Sequence, residues 1–96
     1  MLTHIVVFKY KPEVDEPTRE RHRKQLGSLA RLDGVVSLTV GADLLRGTRS
    51  YDTALVVVFP DRAALDVYAV NPHHVPVADF GKSLCAHIAT VDFEES

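Results

Sequence analysis

The sequence predicts an α+β fold in which helices cover one face of a four-stranded antiparallel sheet. Four apolar runs have the β-branched and aromatic character of strands. Stretches with helical spacing separate the first run from the second and the third from the fourth. A polar turn containing glycine joins the second run directly to the third. The resulting order is β-α-β-β-α-β, which is the ferredoxin-like arrangement.

The first strand is predicted over residues 3–10. Ile5 to Phe8 are β-branched or aromatic and follow one another without a polar break. Such a run is typical of a strand that is buried on both faces. Pro12 ends it.

A helix is predicted to follow, because Asp15 suits an N-cap and Pro17 suits the first turn. Gly34 is expected to stop this helix. Its buried stripe is expected to hold four residues at helical spacing, namely His22, Leu26, Leu29 and Ala30. The opposite, solvated face is expected to carry Arg19, Arg23 and Arg31.

The next two strands are predicted over residues 35–45 and 51–59, with the polar turn at 46–50 between them. Residues 55–59 are again apolar at every position.

The second helical region is predicted in two pieces, because Asn71-Pro72 interrupts it. The first piece starts at an Asp61 cap and the second covers about residues 73–84. The last strand is predicted over residues 86–93, and Ile88 is expected on the face opposite Val91 and Phe93.

Length and composition exclude several classes of protein. The chain has 96 residues, of which 46% are hydrophobic and 25% charged, so we expect a single globular domain over 1–96. A net charge of −2 provides no basic surface for nucleic acid. Cys85 has no partner for an internal disulfide, which favours a reducing, cytoplasmic location. No apolar run approaches the roughly 20 residues that span a membrane.

The strands that are apolar on both faces predict a homodimer. Helices cover only one face of such a sheet, and a small chain has little else to cover the other. A second copy would bury the bare face. Of the neighbouring residues Val57 and Val58, we expect one to face the core and the other to face the partner.

Four segments appear in an order that resembles one known family. They are Thr3-His4-Ile5-Val6-Val7-Phe8-Lys9, Tyr51-Asp52, Phe59-Pro60-Asp61 with Ala64, Leu65 and Tyr68, and Asn71-Pro72-His73-His74-Val75. The combination of a first-strand histidine with a Tyr-x-x-x-Pro-x-His box resembles the stress-responsive A/B barrel (Dabb) family of dimeric α+β barrels. Tyr68, Pro72 and His74 supply that box here.

The resemblance implies a homodimer whose two sheets pack face to face, and a pocket between sheet and helices in each subunit. Olivetolic acid cyclase-type members of the family close a polyketide by an intramolecular aldol reaction without metal or organic cofactor, and the resemblance implies the same type of reaction here. Tyr68 and His74 match the catalytic pair of those members, and His4 matches a pocket-lining histidine. Their third-strand histidine is replaced by Thr53, and the first histidine of their box by Asn71, which indicates a different substrate.

The chemistry of an aldol closure suits these residue types. Histidine can take a proton next to a carbonyl, and a tyrosine hydroxyl can stabilise the oxyanion that forms. We therefore predict His74 as base and Tyr68 as donor, with His4, Thr53 and Phe80 contacting the substrate. The alternative is structural: Tyr68 packs on the core, His74 caps a helix, and His4 is a buried histidine bonded to backbone.

Two functional classes follow, together with a weaker third. The first is a cofactor-free cyclase or lyase that acts on a ketide-like or aromatic molecule. The second is a non-catalytic homodimer that binds a small apolar ligand or has a stress-protective role. The third, a monooxygenase or haem-handling protein, rests only on relatives in the wider superfamily. The adjacent His73 and His74 do not have the spacing of metal ligands on a helix, so no metal is expected.

Overall fold

The computed structural model describes residues 1–95 and has the predicted order of elements. The second helical region is divided in two, as predicted. A short 3₁₀ turn, which was not predicted, follows the first helix. The strands are all antiparallel and lie in the order β2-β3-β1-β4. The elements are β1 (Leu2–Tyr10), α1 (Glu16–Ser28), the 3₁₀ turn (Leu29–Arg31), β2 (Ser37–Ala42), β3 (Thr53–Phe59), α2 (Arg62–Ala69), α3 (His74–Leu84) and β4 (Cys85–Glu94).

The strand β1 lies between β3 and β4, and its register decides which residues meet on each face. His4 lies opposite Val57 on one side and Asp92 on the other. Paired residues of neighbouring strands share a face, so His4 and Asp92 both lie on the side that the helices cover. The buried core on that side is Leu2, Val6, Phe8, Leu26, Leu29, Leu55, Val57, Phe59 and Tyr68.

Two predicted helix caps are confirmed. The Asp15 carboxylate accepts the Thr18 N–H at 2.9 Å, and the Asp61 carboxylate accepts the Ala64 N–H at 3.0 Å. Each satisfies a backbone donor at a helix start that has no partner within the helix.

The predicted end of the first helix at Gly34 is wrong. The α-helix ends at Ser28, and a 3₁₀ turn carries the chain as far as Arg31. Gly34 has φ +88°, and a Cβ there would lie 3.3 Å from the Ala64 Cβ. Gly34 therefore lets the chain turn towards β2 while it passes close to α2. A residue with a side chain would be strained in this conformation.

The predicted faces of α1 need two corrections. His22, Leu26 and Leu29 are buried as expected, but Ala30 is exposed, because it lies in the 3₁₀ turn rather than on the helical stripe. The Arg23 side chain is only 13% exposed and donates to the Thr53 hydroxyl, so it does not lie on a solvated face.

The middle strands are shorter than predicted, since β2 covers residues 37–42 and β3 begins at Thr53. The segment between them closes through the Asp43 N–H, which donates to the Asp52 carbonyl at 2.9 Å. In β4, a register shift opposite Lys9 and Tyr10 interrupts the regular alternation of faces.

The second face of the sheet carries no helix and is apolar, as the sequence predicted. Val57 has no exposed surface, whereas its neighbour Val58 points to the helix-free face. On the edge strand β4, Val91 is 60% and Phe93 41% exposed on this face. The apolar residues of this helix-free face are Ile5, Val7, Ala54, Val56, Val58, Ala89, Val91 and Phe93, and Thr3 and Thr39 lie on the same face. We call it the helix-free apolar face.

Candidate functional site

Three of the predicted site residues meet at one end of the helix-covered side. His4 comes from β1, Tyr68 from the last turn of α2, and His74 opens α3. The Tyr68 and His74 ring centroids lie 4.4 Å apart with the planes tilted by 39°. The His4 ring meets Tyr68 edge-on, with 6.3 Å between centroids. We call these three residues the His4–Tyr68–His74 site.

The turn between α2 and α3 positions His74. The Asn71 side-chain oxygen accepts the His73 N–H at 2.8 Å, and the Asn71 carbonyl accepts the His74 N–H at 2.9 Å. The His74 Nδ1 lies 3.1 Å from the Ala69 carbonyl oxygen, which can only accept. Nδ1 therefore carries the proton, and the lone pair of neutral His74 is on Nε2.

The Tyr68 hydroxyl donates no hydrogen bond to any described acceptor. The residue is 1% exposed, and its oxygen is buried without a hydrogen-bond partner in the part of the chain that the structure describes. Burial raises the pKa of Tyr68 to about 12, so the hydroxyl stays protonated at neutral pH. A buried polar group in this state is unfavourable for the fold and requires a reason.

The environment keeps His74 neutral. Burial disfavours its charged form and lowers its pKa below the usual 6.5. The hydrogen bond to the Ala69 carbonyl acts in the opposite direction, and the positive charges of His4 and Lys82 add to the lowering. His74 is thus able to accept a proton at neutral pH, although only as a weak base.

Asp92 is a fourth polar residue at this site, and the sequence analysis missed it. It lies beside His4 in the sheet register, and its Oδ1 accepts a hydrogen bond from His4 Nδ1. Nothing in the local sequence marks it, because it belongs to no motif and lies in the last strand, 88 residues from its partner. Only the pairing of β4 with β1 brings the two together.

The predicted residues Thr53 and Phe80 lie elsewhere, around the buried His22. Thr53 pairs with Phe8, four residues along β1 from His4, which is about 13 Å along the strand. The Tyr10 hydroxyl donates to Thr53 Oγ1 at 3.0 Å and lies 2.7 Å from His22 Nδ1. The Phe80 ring lies 5.9 Å from the His22 ring. We call Tyr10, His22 and Thr53 the His22 network.

The His22 network was not predicted from the sequence, although His22 was placed on the buried stripe. The Tyr10 O–H donates to Thr53, so the Tyr10 oxygen accepts a hydrogen bond from His22 Nδ1–H. The other ring nitrogen, His22 Nε2, is then a buried acceptor without a described partner. Burial lowers the pKa of His22 to about 4. The imidazole is therefore neutral and enclosed.

A family model for the stress-responsive A/B barrel domain matches residues 2–95. The chain belongs to the Dabb family. This confirms the resemblance that the first-strand histidine and the Tyr68-x-x-x-Pro72-x-His74 box had indicated. No curated protein matches the chain.

Solved structures similar to this Dabb chain share its whole architecture. A dimeric ferredoxin-like protein of unknown function from Jannaschia sp. is 28% identical, with a TM-score of 0.82 and 98% of each chain covered. A second such dimer, from Thermobifida fusca, is 23% identical with a TM-score of 0.89, covering 98% of this chain and 90% of that one. The hydroxynitrile lyase of Passiflora edulis is 18% identical with a TM-score of 0.86, covering 96% and 90%.

The best-formed clefts on the described surface of the Dabb chain are not lined by Tyr68 or His74. Five clefts, of about 170 to 490 Å³, are lined by other residues. One of them, of about 360 Å³, lies between α2 and β4 and has Asp92 in its wall. Within residues 1–95, no three His, Cys, Asp or Glu side chains are grouped to hold a metal ion, and no helix is long and apolar enough to cross a membrane.

Proposed function

We propose that this Dabb chain is a homodimer that acts on a small ketide-like or aromatic carbonyl compound at the His4–Tyr68–His74 site, by a cofactor-free cyclase or lyase reaction of the aldol type. The buried Tyr68 hydroxyl, unpartnered and carried by a ring that lies beside two imidazoles, carries this proposal. A substrate oxygen would provide the acceptor that the hydroxyl lacks.

The residues fit the first step of such a reaction. Nε2 of His74 takes a proton from the carbon next to a carbonyl, and the electron pair of the C–H bond forms an enolate. The Tyr68 O–H donates a hydrogen bond to the enolate oxygen. The enolate carbon then attacks a second carbonyl carbon, and the oxygen of that carbonyl receives a proton. No oxidant, reductant or metal enters the balance.

The fold likeness to a hydroxynitrile lyase supports the proposal only as a precedent for lyase chemistry on this scaffold. The substrate contacts of Thr53 and Phe80 stay predictions, since both residues lie with the His22 network. The cytoplasmic location also stays a prediction.

The alternative is a non-catalytic dimer that binds a small apolar ligand or has a stress-protective role. The near-complete burial of Tyr68 favours it, because a substrate would have to displace packed side chains to reach the hydroxyl. The two functions predict different effects when a polar side chain of the site is removed. A catalyst loses turnover, whereas a binding protein loses at most some affinity.

The catalytic proposal can be tested without the natural substrate. Acetophenone has exchangeable protons next to its carbonyl, and their replacement in D₂O is followed by proton NMR. We expect the wild-type chain to accelerate this exchange, and His74→Gln and Tyr68→Phe each to slow it by at least about tenfold. His73→Gln is the matched control, because His73 is adjacent and exposed. Equal rates for wild type and the two site variants would favour the binding protein.

The proposed dimer is tested at the helix-free apolar face. Lysine in place of Val58 would put a charge into an interface between two sheets, and we expect it to give monomers in analytical ultracentrifugation at micromolar concentration. Val67→Lys is the control, since Val67 is 60% exposed on α2. A wild-type chain that sediments as a monomer would contradict the proposal.

A further inference from the structure

The His4–Asp92 pair is built by the sheet itself. The two residues are direct neighbours in the pairing of β1 with β4 and lie on the same face. Asp92 Oδ1 accepts a hydrogen bond from His4 Nδ1. The His4 side chain is 16% exposed and that of Asp92 38%, so the pair is partly shielded from water. Charge-assisted hydrogen bonds in such surroundings are stronger than those between neutral groups.

The carboxylate decides which ring nitrogen of His4 is free. An ionised carboxylate can only accept, so Nδ1 of His4 carries a proton and Nε2 is the nitrogen left to exchange one with a ligand. The carboxylate also neutralises the positive charge that His4 takes when both nitrogens are protonated. His74 has the same tautomer, because its Nδ1 donates to the Ala69 carbonyl, but that carbonyl is uncharged and does not neutralise a positive charge on the ring.

The pair is also accessible. Asp92 lies in the wall of the cleft of about 360 Å³ between α2 and β4. Leu65 lines the same cleft and stands one helical turn before Tyr68 on α2. A small molecule in this cleft would contact Asp92 of the pair and the helical turn of α2 that precedes Tyr68.

We infer that Asp92 is a positioning residue which holds His4 as the proton donor of the reaction, while His74 acts as the base. The inference rests on the proposed function, since both imidazoles act at the same site. It extends the role of His4 from contact with the substrate to catalysis, and it gives Asp92 a role that no motif indicated.

The proton balance closes with these two histidines. His74 Nε2 takes the proton from carbon, and the enolate forms the new carbon–carbon bond to the second carbonyl. The Nε2–H of protonated His4 then gives its proton to the oxygen of that carbonyl, which becomes a hydroxyl. His74 returns its proton to His4 through water, and the net change is one proton moved from carbon to oxygen.

The electrostatics of the site support this division. The positive charge of His4 is among the causes that lower the pKa of His74, so a protonated His4 keeps His74 in the form that can act as base. The charged or titratable groups around His4 are Asp92 from β4, Tyr68 from α2 and His74 from α3, and Arg62 of α2 lies near Asp92.

The first test measures the His4 ring directly and needs no substrate. In wild-type protein at a pH where the ring is neutral, nitrogen-15 NMR is expected to show the His4 proton on Nδ1. In Asp92→Asn the side-chain amide can donate to Nδ1, and we expect the proton to move to Nε2. Glu94→Gln is the matched control, because Glu94 lies on the same strand and in the same cleft but is not bonded to His4.

The second test separates the acid from the base. Cleavage of diacetone alcohol to acetone is an aldol reaction in reverse and needs proton transfer at oxygen as well as at carbon, whereas deuterium exchange into acetophenone needs only the base and the tyrosine. We expect Asp92→Asn to slow the cleavage by at least about tenfold and to leave the exchange within about threefold of wild type. Glu94→Gln should leave both rates unchanged.

The inference is overturned if the His4 proton stays on Nδ1 in Asp92→Asn, or if both rates fall together, which would indicate a structural role. If the wild-type chain accelerates neither reaction, the proposed function fails and the acid role of His4 fails with it. The NMR result then still shows whether Asp92 holds the His4 tautomer, so that the two failures are distinguishable.

Discussion

The two ends of β1 carry similar groups in opposite states. At one end, the His4–Tyr68–His74 site has a tyrosine hydroxyl without a described partner and two imidazoles that are partly exposed. At the other end, the Tyr10 hydroxyl is fully used by Thr53 and His22, and His22 has no exposed surface. The Tyr68 hydroxyl thus keeps hydrogen-bonding capacity beside two imidazoles that solvent can reach, which chemistry requires. At the other end the Tyr10 hydroxyl is satisfied, and His22 Nε2, although it has no described partner, is fully enclosed, so this network stabilises the fold.

Packing explains why the His22 network is closed. The His22 ring meets the rings of Phe8, Tyr10 and Phe80 edge-on, at centroid distances of 4.9, 5.5 and 5.9 Å. Gly81 of α3 closes the remaining side, since a Cβ there would lie 2.8 Å from His22 Nε2. The ring neighbours of Tyr68 are instead His4, His74 and Phe59.

The largest effect expected from this comparison is a pH dependence of stability that comes from His22. Its pKa is lowered to about 4 in the folded chain from the usual 6.5, so the unfolded chain binds a proton first as the pH falls. The contribution is fully present above about pH 6.5 and is lost as the pH falls towards 4. This corresponds to about 3 kcal/mol. Lowering of the pKa of His74 acts in the same direction.

Urea unfolding between pH 7 and pH 4, at one protein concentration, measures this contribution. His22→Gln should flatten the fall in the free energy of unfolding, whereas His73→Gln should leave it unchanged. An equally steep fall in His22→Gln would show that His22 is not enclosed in solution.

The next largest effect is expected at Gly81. Alanine in a helix is favoured over glycine by about 0.5–1 kcal/mol, and Gly27→Ala in α1 should show this gain, because its Cβ would meet only Val40, at 3.9 Å. Gly81→Ala should instead destabilise the chain by about 1–3 kcal/mol, because the His22 ring has no space to move. Thermal unfolding of the two variants measures both changes in stability. If Gly81→Ala were more stable than the wild-type chain, the His22 network would be loosely packed.

Removal of the Tyr10 hydroxyl should have a smaller cost. Tyr10→Phe leaves the proton of His22 Nδ1 without an acceptor, while Thr53 keeps its contact with Arg23. We expect the free energy of unfolding to fall by about 1–2 kcal/mol in urea. An unchanged free energy of unfolding would indicate that water reaches His22 Nδ1 in the variant, and it would contradict the enclosure of the His22 network.

The sequence predicted local features much better than contacts between distant segments, for a physical reason. Element order, the Asp15 and Asp61 caps and the convergence of His4, Tyr68 and His74 follow from local patterns and from the family motif, which lies on short segments. The roles of Asp92 and Arg23 depend on strand register and on a contact between α1 and β3, and no local pattern contains either. Ala30 was misplaced because a 3₁₀ turn changes the periodicity that the prediction assumed.

The smallest effect on stability is expected at Tyr68, and it is the most informative of the four. A buried hydroxyl without a partner is unfavourable, so Tyr68→Phe should leave the free energy of unfolding unchanged or raise it by up to about 1 kcal/mol. The same change should slow the exchange reaction of the proposed site by at least about tenfold. Loss of activity without loss of stability is the opposite of what Tyr10→Phe should show, although each variant removes one buried hydroxyl. A cost at Tyr68 as large as at Tyr10 would mean that its hydroxyl is satisfied in the resting protein, and the contrast between the two ends of β1 would disappear.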